Sequence, residues 1–199
     1  GEVYSKGYFD LVVTRQVLEH ISNLDDFMEG VNLIIKDNGC LVIEIPDSEW
    51  NLDYLDYALW EEHINYFTLN TISTLLRKHS FEIFHHEVTL FAGKALTVFC
   101  RRSNPSNLIQ NRKEEEIKVL KYKKSWTSFN KELRVFLESI NDPIAVYGCG
   151  ARSSNFINLT GIGNRIESFV DDQKEKQGLY VPGSNLIISD WIEDLHRDF

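Results

Sequence analysis

The sequence is short of cysteine and of basic residues, and it has no long hydrophobic run. Its three cysteines, Cys40, Cys100 and Cys149, are far apart and lie in or beside strand-like apolar runs. That pattern predicts buried, reduced thiols and excludes a disulfide framework. No apolar stretch approaches the roughly 20 residues that cross a bilayer, and the first residues do not have the form of a signal peptide. We therefore expect no membrane association and a cytoplasmic location.

The charge balance argues against a nucleic-acid partner. Acidic residues outnumber basic ones by 30 to 21, which gives a formal net charge of -9. Binding to a phosphate backbone requires a clustered basic surface, and the sequence contains none. A metal site is not predicted either, because His85 and His86, next to Glu87, would point to opposite faces of a strand.

Hydrophobic periodicity predicts an alternating first half. A strand over Phe9–Thr14 is followed by a polar loop through Glu19 and a helix over about 23–36, which Asn38-Gly39 should close. An apolar strand over 40–45 ends at Pro46, and a long irregular stretch leads to His63. The remaining elements are a helix from Thr68 to about His79 and a hairpin of two strands over 81–88 and 95–100.

The second half predicts a long helix and another alternating unit. The helix carries apolar residues at spacings of four and three: Tyr122, Trp126, Phe129, Leu133, Phe136 and Ile140. Strands over 144–147, 166–170 and 186–188 follow, with a helix ending near Gly161 and a last helix from Asp190. We predict an α/β protein with domains at 1–103 and 143–199 and a helical connector at 104–142.

The segment from Trp60 to Phe67 concentrates groups capable of acid–base chemistry. It contains Glu61, Glu62, His63 and Tyr66 within eight residues. A histidine beside carboxylates can be held in one tautomer and poised near neutral pH, as a general base requires. The alternative interpretation is a salt-bridged helix start.

A second group of polar residues follows the first strand. Thr14, Arg15, Gln16 and His20 lie at the carboxyl end of an apparently parallel strand, where open α/β sheets bind their ligands. We predict that they contribute to a ligand site. His20 could equally be an ordinary surface or core histidine.

A glycine-rich turn in the second half resembles a nucleotide-binding loop. Gly148, Gly150, Ala151, Arg152 and Ser153 follow a strand and open a helix, with Ser153 in place of a third glycine. Free N–H groups at a helix N-terminus favour a phosphate, and Asp171 or Asp172 at the next strand end could bind sugar hydroxyls. The alternative is a tight turn with a capping aspartate.

Several segments together resemble a known family. Those of the first half are Phe9–Val13, Val17–Ile21, Asn38-Gly39, Glu44–Pro46 and Glu62–Phe67, and they look like the second half of a class I S-adenosylmethionine-dependent methyltransferase. Those of the second half are Tyr147–Ala151, Val170–Asp172, Lys176–Gly178 and Pro182-Gly183, and they resemble the C-terminal domain of the sugar C-methyltransferase family. Both halves occur in that order in the family.

The resemblance implies methyl transfer from S-adenosylmethionine to a carbon beside the ketone of a nucleotide-linked keto-deoxysugar. His63 matches the family's base, with Glu62 beside it, His20 as a second active-site histidine and Tyr66 as a further candidate. Thr14, Arg15 and Gln16 would bind the cofactor. Lys176 and Gln177 would join the glycine-rich turn and the two aspartates in binding the nucleotide sugar.

Some positions depart from the family pattern. Trp60 replaces a tyrosine three residues before the base, and a lysine of the glycine-loop helix has no counterpart near Ser153-Ser154. The chain begins at what resembles the fourth strand of the methyltransferase fold, so we interpret it as an inactive fragment of a longer enzyme. The alternatives are a methyltransferase with another acceptor, a non-catalytic nucleotide-sugar-binding module and a nicotinamide-dependent oxidoreductase.

Overall fold

The computed structural model describes residues 4–57, 62–91, 93–104 and 112–191. The chain forms two compact units. The first comprises Gly1–Asp56 and Glu61–Val119, and the second comprises Tyr57–Trp60 and Leu120–Phe199. Each unit is an α/β structure, which confirms the predicted fold class. The domain limits at 103 and 142 stay a prediction.

The first unit is built on a four-stranded mixed sheet. Its elements are β1 (Phe9–Arg15), α1 (Leu24–Ile34), β2 (Ile35–Pro46), α2 (Ser48–Tyr54), α3 (Leu69–Lys78), β3 (Phe81–Leu90) and β4 (Lys94–Arg102). The strands lie in the order β1-β2-β4-β3. β1 is parallel to β2, whereas β4 is antiparallel to both β2 and β3. The hairpin predicted from the sequence is therefore confirmed as β3 and β4.

Two helices of this unit begin where their capping residues predict. The Asn23 side chain accepts the Asp26 N–H at 3.2 Å and starts α1. Thr68 starts α3 through a reciprocal capping box with Thr71. Local side-chain chemistry alone explains both starts.

The prediction that Asn38-Gly39 closes the first helix was wrong. α1 ends at Ile34, β2 begins at Ile35, and both residues of the pair lie inside β2. A Cβ atom on Gly39 would lie 2.7 Å from the Ile35 side chain and 3.2 Å from the Asp10 carbonyl oxygen. Glycine fits here because a Cβ atom would crowd Ile35 and Lys36 of β2 itself as well as Asp10 of β1, not because a helix ends.

The stretch predicted to be irregular before His63 contains the short helix α2. The Asp47 side chain accepts the Glu49 N–H at 3.1 Å and caps it. Leu55 ends it in the left-handed conformation, at φ 55°. A helix of seven residues is too short to show a hydrophobic period, so the pattern did not predict it.

One face of the sheet carries the core of the first unit. Its fully buried side chains include Leu41, Ile43 and Ile45 of β2, Val98 and Cys100 of β4, Met28 of α1, and Ile72 and Leu76 of α3. The β2 residues alternate along the strand, as a half-buried strand requires. All three cysteines are free, as predicted, and burial raises the pKa of the Cys100 thiol to about 12.

The second unit is a smaller parallel sheet with helices. Its elements are α4 (Arg112–Ser139), which begins within the first unit, β5 (Ala145–Tyr147), α5 (Ala151–Thr160), β6 (Ser168–Val170) and β7 (Ile188–Ser189). The strands lie in the order β5-β6-β7 and are parallel. Buried residues include Leu137, Ile157, Phe169 and Ile188. The predicted last helix falls mostly on residues 192–199, which lie outside the described residues.

The apolar stripe predicted on α4 holds only in part. Tyr122, Trp126 and Phe129 form a chain of ring contacts, with centroids 6.3 and 5.6 Å apart. Phe136 is exposed, however, and Leu137 is buried in its place. The core takes Leu133, Leu137 and Ile140, because residues three and four apart share a helix face. No helix in the described part of the chain is long and apolar enough to cross a membrane.

We expect the β2 face to dominate the stability of the first unit. Leu41→Ala should lower the free energy of unfolding by about 2–5 kcal/mol, because it opens a cavity in a packed core. Leu11→Ala on β1, where the side chain is half exposed, should cost much less. Urea denaturation measures both, and equal losses would contradict this assignment of the core.

Candidate active site

The short 3-10 turn at Leu18–His20 is joined to the segment that carries His63. The backbone N–H groups of Ile64 and Asn65 donate to the Glu19 carbonyl oxygen at 2.9 and 3.0 Å. The Asn65 side-chain amide donates to the carbonyl oxygens of Leu18 and Ile21, at 3.1 and 2.7 Å. We call these four bonds the Asn65 clamp. They bring together two segments that the sequence analysis selected separately.

The clamp places His20 against His63. Their ring centroids lie 4.8 Å apart, and the rings are nearly perpendicular. His20 Nδ1 lies 2.9 Å from the Glu62 carbonyl oxygen, so Nδ1 must carry the proton and donate it. The neutral His20 ring is thereby held in the tautomer that leaves its Nε2 lone pair available.

The surroundings of His63 favour its neutral imidazole form. Its partial burial lowers its pKa, and the neighbouring His20 lowers it further, while Glu62 acts in the opposite direction. The Tyr66 ring lies 6.4 Å from the His63 ring and is exposed. The structure thus groups His20, Glu62, His63 and Tyr66, the four predicted catalytic residues, in one place; their roles stay predictions.

The helix-start interpretation of the His63 segment does not fit its structure. Residues 62–67 are not helical, and α3 begins only at Leu69. Trp60, the position that departs from the family pattern, and Glu61 lie outside the described residues.

Glu19 is a residue of this site that the sequence analysis left without a role. Its side chain is 1% exposed, and neither carboxylate oxygen has a hydrogen-bond partner in the part of the chain that the structure describes. Its Oε1 lies 4.0 Å from His20 Nε2. Burial raises the pKa of Glu19, while its own backbone N–H and, to a smaller extent, His20 lower it. The adjacent Glu-His pair was visible in the sequence, but only the turn shows that Glu19 points inward.

The predicted cofactor residues lie at the end of β1 and differ in availability. The Arg15 guanidinium donates to Glu44 at 3.1 Å, and the Gln16 amide lies 3.4 Å from the same carboxylate oxygen. Gln16 adopts φ 52°, so the chain turns sharply there. Thr14 Oγ1 is buried without a partner among the described residues. An unpaired buried hydroxyl fits a polar ligand group, so Thr14 suits a cofactor better than its two neighbours do.

The glycine-rich turn of the second unit has the predicted strand–turn–helix form. Gly148 follows β5 at φ 92°, and α5 begins at Ala151. The Ser153 hydroxyl donates to the Gly148 carbonyl oxygen at 2.6 Å and accepts the Gly150 N–H at 3.1 Å. The side chain that replaces the third glycine therefore closes the turn. Arg152 is exposed beside it.

Asp171 holds this turn to the end of β6. It is 6% exposed, and its carboxylate accepts the N–H groups of Cys149 and Gln173 at 2.6 and 2.8 Å and Lys176 Nζ at 3.0 Å. Lys176 also donates to the Cys149 carbonyl oxygen, and Gln177 to that of Asp171. These bonds, chiefly those from Gln173 and Lys176, hold the pKa of Asp171 below its usual range.

The neighbouring Asp172 accepts the Tyr147 hydroxyl. Both aspartates are thus engaged within the protein, and the same is true of Lys176 and Gln177. Their predicted substrate roles stay predictions. The internal bonds support the alternative interpretation in which the aspartate holds a tight turn.

Two protein families match the chain. Residues 1–86 match the family described as a methyltransferase domain, and residues 95–193 match the one described as the C-methyltransferase C-terminal domain. The two matched domain types, and their order along the chain, are those of the resemblance predicted from the sequence. A curated relative is the C-methyltransferase NovU of Streptomyces niveus, which is 21% identical over 92% of this chain. The chain spans about half of that protein's length, 47%.

Solved structures similar to this chain include two methyltransferases. One is the 1,6-didemethyltoxoflavin-N1-methyltransferase of Burkholderia thailandensis, with 13% identity and a TM-score of 0.40 over 52% of this chain and 48% of that one. The other is an S-adenosylmethionine-dependent methyltransferase from Mesorhizobium loti, with 15% identity and a TM-score of 0.38 over 51% and 65%.

We expect Asn65→Ala to loosen the site. The substitution removes two side-chain bonds and leaves a buried carbonyl without its donor, so it should lower the free energy of unfolding by about 1–3 kcal/mol. Asn38→Ala, at an exposed position of β2, is the matched control. Urea denaturation measures stability, and the chemical shifts of the His20 and His63 rings report their contact. An effect no larger than that of the control would contradict the clamp.

We expect Asp171→Asn to destabilise the second unit in a pH-dependent manner. Because the folded-state pKa of Asp171 is depressed, its contribution to stability is present above the unfolded-state pKa and is lost as pH falls through the folded value. The variant should therefore have a lower Tm than the parent at neutral pH. The two Tm values should converge in strong acid, and a constant difference would contradict this role.

Proposed function

We propose that this chain carries the catalytic-base segment and the sugar-nucleotide-binding domain of a C-methyltransferase. Its acceptor would be the carbon beside the ketone of a nucleotide-linked keto-deoxysugar. The observation that carries the proposal is the contact of His20, Glu62 and His63 within a chain that matches both the methyltransferase domain and the C-methyltransferase C-terminal domain. The relationship to NovU, a C-methyltransferase, supports transfer to carbon rather than to nitrogen or oxygen.

In this proposal His63 is the base that removes a proton from the carbon beside the ketone, which makes that carbon nucleophilic. A C–H bond beside a ketone breaks when a base takes the proton and the bonding electrons move toward the carbonyl oxygen, which forms an enolate. His63 takes the proton on the ring nitrogen that bears the lone pair. Partial burial lowers the pKa of His63, which favours the neutral ring before the reaction.

His20 and Glu62 position the base. The His20 ring rests against His63 and is itself oriented by the Glu62 carbonyl oxygen. The Glu62 side chain is exposed and therefore available to a sugar hydroxyl or to the ring of His63. Tyr66 is exposed beside them and could donate to the enolate oxygen, because a hydroxyl aimed at a developing negative charge stabilises it.

The methyl donor in this proposal is S-adenosylmethionine, which supplies a methyl group activated on a sulfonium. The methyltransferase-domain match supports that cofactor class. Thr14 would hold it through its unpaired hydroxyl, while Arg15 and Gln16 would first have to release Glu44. The glycine-rich turn and the exposed Arg152 would bind the nucleotide sugar. Asp171 is already bonded to the turn and would support its shape rather than contact the substrate.

The decisive experiment is hydrogen exchange into the acceptor in the absence of the methyl donor. The full-length protein is incubated in D₂O with a nucleotide-linked ketosugar, and exchange at the carbon beside the ketone is followed by NMR. His63→Ala should slow the exchange by about 10²–10⁴-fold, the usual contribution of a general base. Exchange at the parental rate would remove His63 as the base.

A matched control is His86→Ala, since His86 is exposed on β3. It should leave the exchange unchanged. If the unsubstituted protein binds nucleotide sugars but catalyses neither deuterium exchange nor methylation of them, a non-catalytic binding module is the better description. Methylation of a different small molecule would instead favour another acceptor class.

A further inference from the structure

We propose that Glu19, His20 and His63 together form a binding site for a divalent metal ion of the zinc class. The inference goes beyond the proposed function: metal binding does not depend on that function, whereas the inhibition described below rests on it. One ligand atom from each of the three residues lies within 4.8 Å of the other two. Two imidazoles and one carboxylate form a donor set suited to Zn²⁺ and similar ions, with further positions open to water or another ligand.

The first argument is the state of Glu19. A carboxylate with 1% exposure and no hydrogen-bond partner from another residue in the described part of the chain is poorly compensated for its burial, since only its own backbone N–H and His20 favour the charged form. A cation bound between Glu19 and the two histidines would remove that cost. Buried charges in proteins are normally paired or coordinate metals, and the positive group nearest to Glu19 is the His20 ring, 4.0 Å away when it is protonated.

The second argument is the orientation of His20. Metal-binding histidines usually donate their second ring N–H to a carbonyl or a carboxylate, which fixes the tautomer and aims the other nitrogen. His20 does this through Nδ1, which donates to the Glu62 carbonyl oxygen at 2.9 Å. Its Nε2 is the atom near Glu19. The same hydrogen bond that serves a catalytic site thus supplies the outer support of a metal ligand.

The third argument is the spacing. Ligand atoms bound to one ion at about 2.1 Å lie about 3.4 Å apart in a tetrahedron. The present separation of 4.0 Å between Glu19 and His20 exceeds this by less than an ångström, and the three ligand atoms, all within 4.8 Å of one another, exceed it by at most about 1.4 Å. Small side-chain rotations close such a gap, while the Asn65 clamp already fixes the backbone of both segments. The site therefore needs no movement of the main chain.

Occupation of this site has a chemical consequence. A neutral imidazole has one ring nitrogen with a free lone pair, and a bound metal would use it. His63 cannot then accept a proton from a substrate. The ion would act as an inhibitor of proton abstraction, and its removal by a chelator would restore the base.

The test uses the 199-residue chain, stripped of metal with a chelator and titrated with Co²⁺ as a coloured probe and with Zn²⁺ by calorimetry. We expect one equivalent of Co²⁺ to produce the visible absorption of a nitrogen- and oxygen-bound ion of low coordination number, and Zn²⁺ to displace it. Glu19→Gln, His20→Ala and His63→Ala should each weaken binding by about tenfold or more. Glu19→Gln keeps the shape of the side chain, and circular dichroism checks that every variant folds.

The control is the double variant His85→Ala and His86→Ala, which removes the exposed histidines of β3. It should bind like the parent. The absence of a one-equivalent site would overturn the proposal, as would binding that the control abolishes and the three site variants retain. Metal binding without any effect of His63→Ala on deuterium exchange would leave this site intact and refute the base. If deuterium exchange requires His63 but the chain binds no metal, the base assignment stands and the metal site is refuted.

Discussion

The arrangement of the candidate active site depends on the hydrogen bonds of the Asn65 clamp. Asn65 and Ile64 saturate carbonyl oxygens of the turn that follows β1, so that turn and the His63 segment cannot separate without leaving buried polar groups unpaired. The hydrogen bonds between the turn and the His63 segment determine which side chains meet at the site. His20 contacts His63, and Glu19, whose backbone carbonyl accepts both backbone bonds of the clamp, has a buried side chain.

The sheet sets where the clamp can form. β1 runs parallel to β2, so the polar ends of both strands emerge at the same edge, where Arg15 meets Glu44. The core behind them is apolar and fully buried on one face of β2. A rigid strand end followed by a short turn is a suitable support for side chains that must hold one geometry.

Both proposals, the general base and the metal site, require the lone pair of one ring nitrogen of His63. A base needs that lone pair free, whereas a bound cation occupies it. The buried carboxylate of Glu19 favours positive charge nearby, and the partial burial of His63 favours the neutral ring. In the two proposals made above, the same electrostatic environment suits the imidazole to proton abstraction and to metal coordination, and substrate and ion would compete for it.

The sequence by itself determined the fold class, the capped starts of α1 and α3, the β3–β4 hairpin and the glycine-rich turn before α5, since each is encoded by local periodicity or capping chemistry. It also picked out His63 and His20, as separate candidates from their local patterns and as members of one active site through the family resemblance. Only the tertiary structure decided that they touch, that Glu19 is buried between sequence neighbours of ordinary appearance, and that Asp171 holds a turn. The physical reason is that contact, burial and hydrogen-bond saturation are set by segments far apart in the chain, and no local pattern records them.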